Sequence, residues 1–119
     1  MTVPQLIDGM DPRRSFARLE LGIEAHLDTL GGRQPVRLID LSQAGAHLLL
    51  NRHDAVREGV LTWLRFDTFG VVAWQEGEHL GLEFDQLLPL PVMVETRHRA
   101  PHVVREAAEA WVSGGLFGD

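Results

Sequence analysis

The sequence predicts a mainly β protein, in which six short strands form a sandwich or a small antiparallel barrel and a helix follows near the C-terminus. Apolar and polar residues alternate along several short segments, which is the period of a β-strand. Residues that favour turns separate these segments at close intervals, as is typical of sandwiches and barrels. A barrel would hide the strand edges that an open six-stranded sheet leaves exposed.

Each predicted strand is bounded by turn residues. The first two are alternating segments, and Gly31-Gly32 between them indicates a hairpin turn. The second strand ends at the polar turn Ser42-Gln43, from which the third begins. The turn-rich segment NRHDAVREG precedes the fourth, and the runs FGVVAW and HLGLEF form the last two. The six strands are therefore predicted at residues 16–29, 36–41, 44–50, 59–66, 69–74 and 79–84.

The C-terminal part is predicted to be helical. Pro89 and Pro91 break any strand, and from Pro101 apolar residues recur three and four positions apart, as in an amphipathic helix with proline in its first turn. The apolar stripe of this helix is expected to close one end of the barrel or to contact a partner. The predicted organisation is a flexible segment at 1–12, one domain at 13–112 (barrel about 16–85, helical region about 90–112) and a tail at 113–119.

Composition limits the class of protein. The chain has 119 residues, 45% of them apolar and 24% charged, the balance of one globular domain. No stretch is long and apolar enough to span a bilayer, and the first residues lack the apolar core of a signal peptide. We therefore expect a cytoplasmic protein without membrane insertion. The absence of cysteine excludes disulfides, thiolate zinc sites and cysteine nucleophiles, and the formal charge of -6 argues against a binder of nucleic-acid polymers.

Two local patterns carry the functional prediction. Arg13 precedes an Arg-x-x-x-Arg pattern at Arg14 and Arg18. Because all 11 basic residues are arginine, that pattern is expected by chance about once and means little alone. The second pattern is Asp-x-Ser-x-x-Gly at residues 40–45, which is expected by chance only on the order of 0.02 times in a chain of this composition. The second pattern is therefore the more specific signal.

In this order, with a hairpin between them and strands ending in VVAW and HLGLEF after them, the two patterns resemble the PilZ domain family. The resemblance runs from about Arg13 to Phe84, with a terminal helix in addition. It implies a six-stranded antiparallel β-barrel, the split barrel of that family, which binds the bacterial second messenger cyclic di-GMP. It also implies a receptor without enzymatic activity or cofactor, whose output passes to a separate and still unidentified protein.

The arginines suit this ligand, which carries two phosphates and two guanines. The planar fork of arginine matches both a phosphate and the O6 and N7 acceptors of guanine, so Arg14 and Arg18, together with Arg13, are predicted contacts. In the family the arginine segment is a loop ahead of the first strand that folds over the ligand. We expect this loop to be mobile without ligand and ordered by the phosphates. The family also associates an arginine at the position of Arg13 with binding of the messenger as an intercalated pair.

The second pattern supplies the other predicted contacts. Asp40 is predicted to accept hydrogen bonds from N1-H and N2-H2 of guanine. Ser42 can bond a base or a phosphate oxygen, or brace the turn through its own backbone. Gly45 has no Cβ, so it allows either a close approach of backbone and ligand or a positive φ.

Two other functions remain as alternatives. The first is a PilZ-like adaptor that ignores the nucleotide and docks a protein through the helix face of Val104, Ala108 and Trp111. The second is a small barrel that binds single-stranded RNA through its arginines, although the acidic charge disfavours it.

Metal binding and catalysis are not predicted. His98 and His102 have helical spacing, but Pro101 lies between them and no further ligands are evident. No Gly-x-Ser-x-Gly elbow surrounds Ser42, so a hydrolase triad is not indicated. The tryptophans at 63, 74 and 111 are predicted to pack in the core or against the helix rather than to stack on a ligand, although one near the site could flank a guanine.

Overall fold

The computed structural model describes residues 16–52 and 55–100, and within them six strands form a closed antiparallel barrel. The strands are β1 (Leu19–Thr29), β2 (Gly32–Leu41), β3 (Gly45–Leu50), β4 (Glu58–Trp63), β5 (Phe66–Glu76) and β6 (His79–Phe84). Their order around the barrel is β1-β2-β3-β6-β5-β4. The predicted six-stranded antiparallel barrel is therefore confirmed.

Alternating apolar side chains fill the barrel, as the period of two requires. The most completely buried are leucines from five strands, and the indole of Trp63 lies among them at 1% exposure. The fully buried leucines are Leu27, Leu38, Leu41, Leu48, Leu61 and Leu80. The predicted alternation thus places the core correctly.

The connection between β4 and β5 differs from the prediction. The sequence placed it at residues 67–68, but the chain turns at Leu64-Arg65, and Trp63 pairs with Phe66. Leu64 adopts a φ of 50°, which non-glycine residues rarely do, so no turn residue marks this hairpin in the sequence. The first strand likewise begins at Leu19 instead of Phe16.

A C-terminal helix, α1, spans residues 90–100, which is the first part of the helical region predicted at about 90–112. Pro91 lies in its first turn, where an N–H has no helical acceptor. Met93, Thr96 and Ala100 are buried, and the Trp63 indole N–H donates a hydrogen bond of 3.1 Å to the Thr96 hydroxyl, which joins α1 to the barrel. The stretch after Pro101, on which the helix was predicted, lies outside the described residues, as do segments 1–12 and 113–119. The helical structure that is described is too short to cross a membrane.

A bidentate ion pair also ties α1 to the β4–β5 turn. Nε and Nη2 of Arg65 donate hydrogen bonds of 2.8 and 2.6 Å to the Glu95 carboxylate, and Arg99 approaches the same group at 3.5 Å. The hydrogen bonds from Arg65 hold the pKa of Glu95 below its ordinary value of 4.5, although desolvation opposes them.

We expect Glu95→Gln to lower the free energy of unfolding slightly at neutral pH and not at all in acid. Since the folded pKa lies below the unfolded one, the stabilisation is complete above the ordinary value of 4.5 and is lost as pH falls through the folded pKa. Urea unfolding of both proteins across this range measures the difference. Glu58→Gln, exposed on β4, is the control. A Glu95→Gln difference that persists unchanged in strong acid would contradict the assignment.

Candidate functional site

Five positions, one on each of five neighbouring strands, form a row across the outer face of the barrel. The strand register pairs Glu20 of β1 with Asp40 of β2, and Asp40 with His47 of β3. His47 in turn pairs with Gly81 of β6, and Gly81 pairs with Trp74 of β5. Positions from five neighbouring strands therefore lie next to one another on one surface, and four of them carry a side chain.

A β-bulge turns Asp40 towards this surface. Val36 and Leu38 point into the barrel, so strict alternation would bury Asp40 as well. The register between β2 and β3 shifts between Leu38 and Asp40. Leu41 consequently enters the core, and Asp40 lies on the outer face opposite His47. Bulges commonly redirect side chains in this way beside functional sites.

A second bulge exposes Trp74, so the prediction that this tryptophan packs in the core is wrong. The register of β5 shifts between Val72 and Trp74, and 46% of Trp74 is exposed. Its indole lies over Gly81, where any Cβ would occupy the same space, and its ring centroid is 5.4 Å from that of His47. Trp63 is in the core as predicted, and Trp111 lies outside the described residues.

The two sequence motifs meet at Asp40. Nη1 of Arg18 donates a hydrogen bond of 2.6 Å to Oδ1 of Asp40, and Nδ1 of His47 lies 3.5 Å from Oδ2. Arg18 is half exposed, and 18% of the Asp40 side chain is accessible, so a ligand can reach both. Arg13 and Arg14, the other predicted arginines, lie outside the described residues.

Ser42 braces the turn that carries the second motif. Its Oγ accepts hydrogen bonds of 3.2 Å from the N–H groups of Ala44 and Gly45 and donates one of 3.4 Å to the Gly45 carbonyl. These bonds use the one donor and two acceptor positions of a hydroxyl, and Ser42 is only 1% exposed. Ser42 thus shapes the site through the turn, and its direct contact with a ligand stays a prediction.

Gly45 is required by the approach of a neighbouring strand. It pairs with Glu83 of β6, and a Cβ at this position would overlap the backbone carbonyl of Leu82. Its φ is not positive, in contrast to that of Gly22 or Gly77. The positive φ that the sequence left open is therefore not observed, and the group that approaches Gly45 closely is β6. A close approach of the ligand to Gly45 stays a prediction.

Two histidines lie beside Asp40 or its neighbour, and neither was predicted from the sequence: His47 lines the site, and His79 contacts His47 from outside it. Nε2 of His47 and Nδ1 of His79 are 2.9 Å apart, and their ring centroids are separated by 5.1 Å. His47 lies two residues after Gly45 and so shares its face of β3, which is the signal that could have identified it. His79 is 32 residues further along the chain, and no local pattern connects it to the motif.

These residues surround an open cavity of about 280 Å³. It offers a guanidinium and a carboxylate on one side and an indole face on the other, a combination that suits an anion with an attached flat ring. Among the residues that the structure describes, no group of three or more side chains could hold a metal ion. The cavity is lined by Arg18, Asp40, Ser42, Gly45, Ala46, His47, Ala73, Trp74, Gly81 and Leu82.

Comparison with models of protein families gives a match. The family model described as the PilZ domain matches residues 12–92, a segment that contains both motifs, all six strands and the start of α1. No match was found among the curated proteins.

Proposed function

Because the chain belongs to the PilZ domain family, whose members are binding and adaptor domains rather than enzymes, we propose that it is a cytoplasmic receptor for cyclic di-GMP. One observation carries the proposal. Arg18 from the first motif and Asp40 from the second meet at 2.6 Å, in a cavity that Trp74 also lines. This arrangement supplies a donor for phosphate, an acceptor for guanine and an aromatic face within one site.

Each group has a role that follows from its chemistry. The Asp40 carboxylate accepts hydrogen bonds from guanine N1-H and N2-H2, and the exposed indole of Trp74 provides a stacking surface for the base. Arg18 binds a phosphate or the O6 and N7 edge of guanine, and Arg13 and Arg14 add further contacts from the preceding segment.

Binding requires Arg18 to exchange partners. Without ligand it donates to Oδ1 of Asp40, an oxygen that guanine needs. An exposed ion pair of this kind contributes only about 0.2–1 kcal/mol, whereas a bidentate arginine contact to guanine contributes about 1–3 kcal/mol. The exchange is therefore favourable, and it draws the arginine segment onto the ligand.

The proposed output is a change of surface that a separate protein detects. Folding of the arginine segment over the ligand changes the surface that a partner protein contacts. The motif turn is also tied to the segment before α1, since Gln43 and Leu88 exchange two hydrogen bonds of 2.8 Å. A displacement of the turn would therefore be passed towards the helix.

The second candidate function is a ligand-independent adaptor. The helix face predicted for docking, at Val104, Ala108 and Trp111, lies outside the described residues, but α1 exposes Leu90 and Val94 by 61% and 49%. A pull-down with and without cyclic di-GMP separates the two functions. The partners of a receptor depend on the ligand, and those of an adaptor do not.

We expect cyclic di-GMP to quench tryptophan fluorescence through Trp74. A guanine that stacks on the exposed indole changes its emission, whereas Trp63 is buried and should not respond. In Trp74→Phe the quenching should largely disappear, while affinity measured by calorimetry falls only several-fold because an aromatic face remains. Trp111→Phe is the control and should retain the quenching. Full quenching in Trp74→Phe would place the ligand elsewhere.

A further inference from the structure

Three side chains form a continuous chain of polar contacts that leads away from the ligand site. Oδ2 of Asp40 lies 3.5 Å from Nδ1 of His47, and Nε2 of His47 lies 2.9 Å from Nδ1 of His79. The His47 side chain is 27% exposed, and it also faces the Trp74 ring. His47 is therefore in contact with the proposed guanine acceptor, the proposed stacking face and a second titratable ring.

The contacts favour one arrangement of hydrogens on the two rings. At 3.5 Å the contact between His47 Nδ1 and Asp40 is an ion-pair distance rather than a hydrogen bond. Because a carboxylate accepts and cannot donate, it favours the tautomer in which Nδ1 of His47 carries the hydrogen. Nε2 of a neutral His47 is then an acceptor, and the hydrogen between the rings belongs to Nδ1 of His79. An added proton goes to Nε2 of His79 and preserves both contacts. A further proton on Nε2 of His47 would place it opposite the N–H donor of His79 at 2.9 Å. The pair can therefore take up one added proton but not a second.

The charges around the pair favour that proton when an anion binds. Each cyclic di-GMP brings two negative charges, so the two messengers that Arg13 predicts bring four, which Arg13 and Arg14 offset only in part. When Arg18 turns to the ligand, it no longer neutralises Asp40. A positive His79 then partly offsets the remaining charge of the ligand and that of Asp40. Among the residues that the structure describes, the other groups around the pair are mostly acidic or uncharged: Asp40 on β2, Glu20 opposite Asp40 on β1, Glu76 opposite His79 on β5, Trp74 on β5, and Glu83 on the same face of β6. The cation Arg37 on β2 lies opposite Leu49 and is turned towards Gly22 and Glu24.

We propose that His47 positions Asp40 for the ligand and that the His47–His79 pair takes up a proton when cyclic di-GMP binds. The inference rests on the proposed function. Histidine is the side chain that ordinarily changes charge between about pH 5 and 8, whereas arginine, guanine and a phosphodiester keep their charge there. The receptor is therefore more sensitive to its ligand in a mildly acidic cell than at neutral pH.

The test is isothermal calorimetry of cyclic di-GMP binding at about pH 6 and about pH 8, in buffers that differ in their enthalpy of ionisation. The difference in heat between buffers gives the number of protons taken up. For the wild type we expect uptake of a fraction of a proton, about a third on average, and affinity roughly threefold to fivefold higher at the lower pH. His79→Phe keeps a ring beside His47 but leaves His47 alone to take up a proton, so both effects should become smaller while binding at the higher pH is retained.

Further variants separate positioning from structural support. His47→Ala should weaken binding at both pH values, and His47→Asn, which keeps an N–H near Asp40, should restore binding at the higher pH without the proton uptake. His79→Asn is a second variant should His79→Phe not fold. His26→Gln is the matched control, because it removes an exposed histidine from β1, six residues from Glu20, and should leave the linkage unchanged.

The outcomes distinguish this inference from the proposed function. No binding at either pH would overturn both. Binding with equal affinity at the two pH values and no proton uptake, or the same pH dependence in His79→Phe as in the wild type, would overturn the role of the histidine pair alone.

Discussion

Gly45→Ala is expected to lower the free energy of unfolding by about 1–3 kcal/mol. A Cβ at this position would overlap the backbone carbonyl of Leu82. The carbonyl belongs to β6, which pairs on both sides with β3 and β5, so it cannot rotate away as a side chain would. The N–H of Gly45 also bonds to the Ser42 hydroxyl, and a shift of the strand would disturb the motif turn. Urea unfolding measures the change.

Gly31→Ala is the matched control for this substitution. A Cβ on Gly31 would lie 3.6 Å from Oγ1 of Thr29, an ordinary contact, and the φ of Gly31 is not positive. We expect its stability to stay close to that of the wild type. Equal stability of Gly45→Ala and Gly31→Ala would contradict the account of Gly45 as a residue required by the strand approach.

Arg18→Ala is expected to weaken cyclic di-GMP binding by roughly 1–3 kcal/mol, about tenfold to over a hundredfold. The same loss is expected for Arg14→Ala. Arg18 is the arginine that the structure places beside Asp40, at 2.6 Å. Because that ion pair is exposed, its removal should change the free energy of unfolding by less than about 1 kcal/mol. The effect therefore falls on binding and not on folding, and calorimetry with parallel unfolding experiments shows both.

Arg33→Ala provides the control, since it removes the same charge from the β1–β2 hairpin. Arg33 faces Asp28 at 3.7 Å and belongs to the end of β2 away from Asp40. A general electrostatic effect on an anionic ligand would weaken binding in Arg33→Ala as well. If Arg14→Ala and Arg18→Ala each leave the affinity unchanged, the arginines have been assigned to the wrong role.

Most of the fold was predictable because it depends on local periodicity. The alternation in residues 16–29 and the glycines at 31 and 32 predict the first hairpin, and the structure has one with a shorter first strand. Its turn lies at Leu30-Gly31 instead of Gly31-Gly32, and its second strand begins at Gly32 instead of Val36. The β4–β5 turn could not be predicted, because Leu64 adopts its positive φ without a glycine or asparagine to indicate it. There the packing of the barrel overrides the local preference of the chain.

Only the site residues that belong to a local sequence motif could be predicted. Arg18 and Asp40 were identified from their motifs, and they are in contact. Strict alternation would have pointed Asp40 into the barrel, and Trp74 was predicted to be in the core. A bulge beside each residue turns its side chain to the outer face instead. Because a bulge depends on pairing with another strand, the sequence of one strand alone does not indicate where it occurs. His79 reaches His47 only through the pairing of β3 with β6.

Titration of cyclic di-GMP into the purified protein by isothermal calorimetry, with GTP and cyclic di-AMP as controls, tests the central claim most directly. We expect saturable binding of cyclic di-GMP at micromolar or tighter affinity and no comparable binding of either control. The stoichiometry then shows whether one or two messengers bind, and Arg13 predicts two. Absence of binding at every accessible concentration would contradict the receptor function and leave a PilZ barrel that acts as a ligand-independent adaptor.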